Sequence, residues 1–289
     1  MTKKILITGA AGFTGLHACE YFSKKRYHVI GVARKQISDQ KWQMEACDLL
    51  DKERVYCLFK KHRPDYCLHL AGVNSVAQSW SEPLSAVNIN VIGTLHLLEA
   101  IRQFNPDCKV VVTGSALSQS DHPYAVSKFF QQKLSLEWGR LFNLSIIVAK
   151  PSNLIGPGPS AGIVSVLAEQ IVKMEKDKKI EPISISHLEN KREFLDVRDA
   201  VAAYEILLNK GAIHSTYEIG SGHMNTLDEV TRIYQSLTEN ELTFLSVNAN
   251  AENPPDLMDA KKMKELDWQP QFSLIESISH ILSYFRVIH

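Results

Sequence analysis

Five cysteines are scattered along this sequence, Cys19, Cys47, Cys57, Cys67 and Cys108, and no two form a CxxC pair. An odd, dispersed set argues against a disulfide framework and a zinc site. It reads as reduced thiols in a cytoplasmic protein. Excess charge is missing too: 32 lysines and arginines balance 32 aspartates and glutamates, so nothing points to a nucleic-acid partner. Near the N-terminus two lysines precede only a short apolar run, Ile5 to Thr8, which a glycine turn cuts off. Neither a signal peptide nor a membrane span is expected there, and no membrane partner. Repeats, low-complexity tracts and a long disordered tail are absent. What remains is an ordinary globular composition, 45% hydrophobic and 22% charged over 289 residues. That length is long for one core and short for two full domains, so a main domain with a smaller lobe is expected.

The first half alternates two kinds of segment. "KILIT", "YHVIGVA", "YCLHLAG", "KVVVTGS" and "LSIIVAK" are short, β-rich apolar runs. Residues 15–25, 52–62, 84–103 and 124–142 between them have helical spacing. This alternation predicts an α/β fold with a parallel sheet covered on both faces. After "KPSNLIGPGPS", rich in proline and glycine, the pattern loosens. A helix is expected near 162–176, then "REFLDVRDAVAAYEILL", a strand-like "STYEIGSG", and a mostly helical C-terminus broken at "NPPD".

The opening "KKILITGAAGFTGLHACEYF" reads strand, glycine turn, helix. Gly9 permits a tight turn, Gly12 lets backbone approach a pyrophosphate, and Gly15 lets the helix pack close to the sheet. In this context the loop predicts a dinucleotide. At the end of the second strand, where an acid would bind the ribose hydroxyls of NAD, stand Arg34 and Lys35. A guanidinium there suits a 2′-phosphate, which favours NADP(H) and leaves NAD(H) possible. Solvated cations are the alternative. Asp48, after a third strand, is placed to bond the adenine amino group.

Tyr124 and Lys128 lie four apart on the helix 124–142, so they share a face. An ammonium beside a phenol lowers its pKa toward a useful range. A hydroxyl at the end of the preceding strand, Ser115, could hold a carbonyl or alcohol. Taken alone, a tyrosine and a lysine at this spacing are an accident of the surface. After a fifth strand, behind such a glycine loop, they read as a site for coupled hydride and proton transfer.

These residues, with "TGAAGFTG", "CDLLD", "HLAG", "NVIGTLHLLEA", "YAVSK", "KPSNLIGPG", "REFLDVRDAVAAY", "YEIGSG" and "DWQP", give the chain a nearly end-to-end resemblance. It resembles the extended short-chain dehydrogenase/reductases acting on nucleotide sugars. Within them it looks most like the GDP-4-keto-6-deoxy-mannose reductases, which prefer NADPH. The resemblance implies a Rossmann-type doubly wound parallel sheet over residues 1–151, with 195–220 returning to it. It also implies a smaller C-terminal substrate lobe of 152–194 and 221–289.

Carried across by position, Ser115, Tyr124 and Lys128 match the catalytic triad. Gly9, Gly12, Phe13, Thr14 and Gly15 match the pyrophosphate loop. Leu70, Ala71 and Gly72 match the turn lying along the cofactor. Leu49, Thr113 and Pro151 join Arg34, Lys35 and Asp48 in the implied cofactor set. Asn153 and Arg192 match substrate-binding positions, and Asn90 an asparagine with a structural or proton-relay role. Arg192 could instead pair with Glu193 or Asp196. A homodimer through helices 84–103 and 124–142 is implied, with Leu95, Leu98, Phe129 and Leu136 offering apolar contacts or facing the sheet.

Three departures stand out. Only eight residues separate Ser115 from Tyr124, fewer than in relatives, although eight extended residues span well over ~20 Å. Ser118 or Ser120 could then take the place of Ser115. Ala116 and Leu117 follow Ser115, and no acid comes before Asp121, so the base expected of a 4,6-dehydratase is missing. Lys150 replaces the arginine of an RPxN stretch, keeping charge without a bidentate contact. The expected function is NADPH-dependent reduction of a nucleotide-linked 4-keto-6-deoxy sugar. The alternatives are an NAD-dependent C4 epimerase and a non-catalytic NADP(H)-sensing module.

Overall fold

The computed structural model describes residues 2–35, 38, 40–116, 122–247 and 256–289. The first elements are β1 (Lys4–Thr8), α1 (Phe13–Lys24), β2 (His28–Ala33), β3 (Gln43–Ala46), α2 (Lys52–His62) and β4 (Tyr66–His69). Next come α3 (Val76–Ser81), α4 (Pro83–Val87), a π-helical turn (Asn88–Ile92) running into α5 (Gly93–Phe104), β5 (Lys109–Thr113), α6 (Pro123–Phe142) and β6 (Ile146–Pro151). The chain continues through β7 (Asn153–Ile155), α7 (Ile163–Asp177), β8 (Ile183–Ile185), β9 (Lys191–Asp196), α8 (Val197–Lys210) and β10 (Thr216–Ile219). It ends with β11 (Met224–Thr226), α9 (Leu227–Ser236), β12 (Phe244–Ser246), α10 (Lys261–Lys264) and α11 (Leu274–Ile288).

By compactness the chain divides into Met1–Pro151 with Val201–Glu218 and Lys262–Trp268, and Ser152–Ala200 with Ile219–Lys261 and Gln269–His289. The first unit carries a seven-stranded sheet in the order β10-β6-β5-β4-β1-β2-β3. From β3 through β6 every pairing is parallel. Its inner strands are apolar on both faces because helices cover both sides, as a parallel sheet requires. On one side Leu6, Phe59, Leu97, Leu98, Val110 and Ile146 close a continuous core between the sheet, α2 and α5. Leu98 is fully buried there, which removes it from any docking face: on α5 it belongs to the stripe that faces the strands. Truncating such a residue costs about 2–5 kcal/mol. Pro83–Phe104 is long and apolar enough to cross a bilayer by composition alone, but half of it is buried.

The second unit is less helical than the sequence pattern suggests. It contains a three-stranded sheet, β11-β9-β7, with β9 antiparallel to β11 and parallel to β7, and a two-stranded sheet of β12 and β8. Four of these five strands have only three residues, too short for alternation to show. Helices α7, α9 and α11 pack around Leu167, Ile171, Val230, Tyr234 and Ile281. Two helices begin with reciprocal capping boxes, Thr226 with Glu229 and Ser273 with Glu276. Buried Glu193 on β9 accepts the Gly222 and Met258 backbone N–H groups at 2.8 and 2.9 Å. Its carboxylate thereby ties β9 to the turn before β11 and to the segment before α10. Asp196 is taken up by Arg198 (2.7 Å) and Ser277 (2.8 Å).

Candidate active site

The loop after β1 is built from backbone. Gly9 has φ +71, and a Cβ there would lie 2.9 Å from the Ala71 nitrogen. At Gly15 a Cβ would strike the Gly9 carbonyl. Gly12 is the extended N-cap of α1 and contributes no side-chain cap. The first-turn N–H groups of α1 are therefore not claimed by a capping side chain, and Ala11 and Gly12 are exposed while Phe13 and Thr14 are half-buried. An accessible glycine cradle at the start of a helix after a parallel strand fits a pyrophosphate.

Around this loop, Arg34 and Lys35 follow directly on β2 and are exposed. Asp48 is exposed, and one of its carboxylate oxygens accepts the Leu50 N–H at 3.0 Å, so it also shapes the turn after β3. Leu49 is buried, and its carbonyl accepts from His96 at 2.9 Å if that ring nitrogen carries the proton. Leu70, Ala71 and Gly72 form the turn after β4, where a Cβ at Gly72 would sit 2.7 Å from Asn90 Oδ1 and 3.8 Å from Lys128 Nζ. Pro151 closes β6. Its neighbour Lys150 pairs with Glu218 at 2.8 Å, a cross-strand pair between β6 and β10.

Ser115, Tyr124 and Lys128 come together at the end of β5 and the start of α6, all nine-tenths buried. Ser115 and Tyr124 share a side-chain hydrogen bond. Burial holds the Tyr124 phenol above its ordinary value, and the Ser115 bond pulls the other way. This corrects the expectation that Lys128 lowers it: in the free protein desolvation outweighs any charge effect. Burial pushes Lys128 itself down to about 8. Its Nζ donates to the Thr113 carbonyl at 2.8 Å and to Gln131 Oε1 at 2.7 Å. The Thr113 hydroxyl is committed to the His69 carbonyl at 2.9 Å. Ser118, Ser120, Leu117 and Asp121 lie outside the described residues.

Two residues that the sequence reading passed over belong here. His122 caps α6 by accepting the Ala125 N–H on Nδ1 at 3.1 Å, and its ring stacks on Tyr124 at 5.8 Å. Gln131 stands one turn after Lys128, a spacing that the sequence displays. Asn90 lies in the π-turn, a form that often marks functional positions. Its side chain spans the Val73 N–H and carbonyl and the Ser127 hydroxyl, at 2.8, 3.1 and 2.8 Å. It ties the turn after β4 to α6.

A family model, described as the NAD dependent epimerase/dehydratase family, matches residues 5–220. The chain belongs to that family. It is an NAD(P)-dependent enzyme of the extended short-chain dehydrogenase/reductase type. It is 26% identical to the GDP-6-deoxy-D-mannose reductase of Pseudomonas aeruginosa, covering 98% of this chain and 97% of that one. It is 24% identical to the CDP-paratose 2-epimerase of Salmonella typhi, covering 97% and 98%. Among solved structures, RMD from Pseudomonas aeruginosa complexed with NADPH superposes with a TM-score of 0.88 at 25% identity, over 100% of both chains.

In the second unit of this family member, Asn153 and Arg192 lie on adjoining strands. Asn153 Nδ2 donates to the Glu193 carbonyl at 3.0 Å. Arg192 pairs with Asn225 in register, and its guanidinium bonds the Lys191 carbonyl at 3.0 Å.

Proposed function

We propose that this chain reduces a nucleotide-linked 4-keto-6-deoxy sugar with NADPH, as a GDP-4-keto-6-deoxy-mannose reductase does. One observation carries the reading: Ser115 and Tyr124 share a hydrogen bond with buried Lys128 one turn along α6, while Ala116 stands where a dehydratase needs an acid. NADPH, when bound, supplies the hydride. Tyr124 gives its proton to the C4 oxygen, and Ser115 polarises that oxygen by donating to it. The Lys128 ammonium favours the tyrosinate left behind. Gly9, Gly12, Phe13, Thr14 and Gly15 would hold the pyrophosphate. Arg34 and Lys35 would meet the 2′-phosphate, and Asn153 and Arg192 would bind the sugar nucleotide.

The test is to follow NADPH consumption against a panel of GDP-, UDP-, dTDP- and CDP-linked 4-keto-6-deoxy sugars. Stoichiometric consumption, fastest with a GDP sugar, is expected. Interconversion of C4 epimers without net consumption would replace this reading with an epimerase. NADPH binding without turnover on any sugar would replace it with a sensing module.

The same reading includes a second copy of this chain as partner. On α6, Val126, Phe129 and Phe130 share one face at helical spacing and are 46%, 44% and 50% exposed. Trp80 on α3 and Leu84 on α4 are 63% and 75% exposed. Leu95 and Leu136 are half-buried.

A further inference from the structure

Lys128 is held by a buried chain of side chains, and with Lys128 as an ammonium one pattern of hydrogens satisfies all of them. Its Nζ donates to the Thr113 carbonyl and to Gln131 Oε1. With its oxygen facing Lys128, the Gln131 amide turns Nε2 to Thr94 Oγ1 at 2.9 Å. The Thr94 hydroxyl hydrogen is given to the Asn90 carbonyl at 2.6 Å. Thr94 Oγ1 must therefore also accept from its third neighbour, His69 Nε2, at 2.8 Å. That places the His69 proton on Nε2, so Nδ1 accepts from Thr8 Oγ1 at 2.7 Å. Thr8 Oγ1 in turn accepts the Ala71 N–H at 3.1 Å. Burial, with the charge of Lys128, pushes His69 down to about 3 and keeps it neutral. His69, Thr94 and Gln131 are all at most 1% exposed.

We propose that Gln131 is the positioning residue of Lys128: its amide oxygen, with the amide nitrogen taken up by Thr94, holds the Lys128 nitrogen in its ammonium form with one N–H left over for the reaction. This rests on the reading of Lys128 as the group that acts beside Tyr124. An ammonium has three hydrogens, and the fold uses two. An amine has only two, both already held, so it would have none to donate toward a substrate or cofactor. Among the described residues, Tyr124 lies one turn earlier than Lys128 on α6, and neutral His69 from β4 feels the Lys128 charge. The turn after β4 offers Gly72, and β5 offers only the Thr113 carbonyl. Among the described residues no carboxylate acts on Lys128. Among the described residues the Gln131 oxygen is therefore the one side-chain acceptor that favours its charge.

The experiment is an NMR titration of isotope-labelled lysines in the protein without ligand, with the Lys128 signal assigned through Lys128→Met. Two variants of nearly equal length are compared with the wild type. Gln131→Met removes the acceptor and should lower the Lys128 midpoint by about one pH unit, the size of one charge-assisted hydrogen bond. Gln131→Glu places a carboxylate there and should raise it by at least as much. The basic limb of turnover should move in the same two directions. Opposite shifts are the signature, because a general loosening of the core would move both variants alike. A midpoint unmoved in both, or moved the same way in both, overturns the proposal. If Gln131→Met does not fold, Gln131→Glu decides alone, and an unmoved or lowered midpoint overturns it. The midpoint is read without substrate, so the expected shifts in a protein lacking reductase activity would support this inference while removing the proposed reaction.

Discussion

The Tyr124 hydroxyl is hydrogen-bonded to Ser115, although eight residues lie between them. One sits at the end of β5 and the other in the first turn of α6, and the pair meets because α6 begins next to the strand it follows. Tyr124→Phe removes the proton donor and keeps the ring that stacks on His122. Turnover should fall by ~10²–10⁴-fold, with NADPH affinity nearly unchanged in a fluorescence titration. Near-normal turnover would remove Tyr124 from the chemistry.

Lys128 sets the pH response. It is pushed down from 10.5 to about 8 by burial, so the ammonium is present below about pH 8 and lost above it. Turnover should show a basic limb near pH 8. Stability runs the other way. For a base whose folded pKa is depressed, the burden of burying the charge is full below the folded value and is relieved as pH rises toward the unfolded one. Lys128→Met removes a net burden of about 3 kcal/mol below pH 8, and at every pH it also loses the part of the two hydrogen bonds that the amine form keeps. The melting temperature of this variant relative to wild type should be most favourable below pH 8 and should decline above it. A difference flat from pH 6 to 10 would contradict the assignment.

Cofactor choice is read at the end of β2. Charge-assisted bonds from Arg34 to a 2′-phosphate contribute about 1.5–3 kcal/mol each. Changing both Arg34 and Lys35 to Asp should weaken NADPH by at least ~10²-fold and NADH far less. Dissociation constants for both cofactors at one fixed salt check this. An unchanged ratio would favour the NAD-dependent epimerase.

Gly15→Ala places a methyl group against the Gly9 carbonyl, backbone that cannot step aside. The expected cost is about 1–3 kcal/mol in stability, together with loss of dinucleotide binding. Chemical denaturation and cofactor titration measure the two effects separately. Full binding in a stable variant would show that the loop has slack the geometry denies.

A double change of Phe129 and Phe130 to Asp sets two charges on the exposed face of α6 without touching the core. Light scattering at micromolar concentration should show a dimer in the wild type and a monomer in the variant. A monomeric wild type would remove the second copy as partner.

Elements whose causes are local are legible in the amino-acid order. "KILITGAAGFTG" becomes strand, loop and helix because three glycines at that spacing, after an apolar run, serve a tight turn and a close approach. The apolar runs of the first half lie in the parallel sheet because both of its faces are covered. The four-residue step from Tyr124 to Lys128 places them on one helix face whatever surrounds them. Tertiary structure decided what depends on distant neighbours. Leu98 faces the strands because α5 packs on that side, and helical period alone does not choose the side. The three-residue strands β7, β8, β11 and β12 exist only through their partners. The Tyr124 phenol is raised because desolvation is a property of the enclosure, not of the spacing to Lys128. The Gln131 amide meets Thr94 and, through it, His69, which come from α5 and β4. Hydrogen-bond satisfaction and burial are sums over atoms that the chain brings together only by folding.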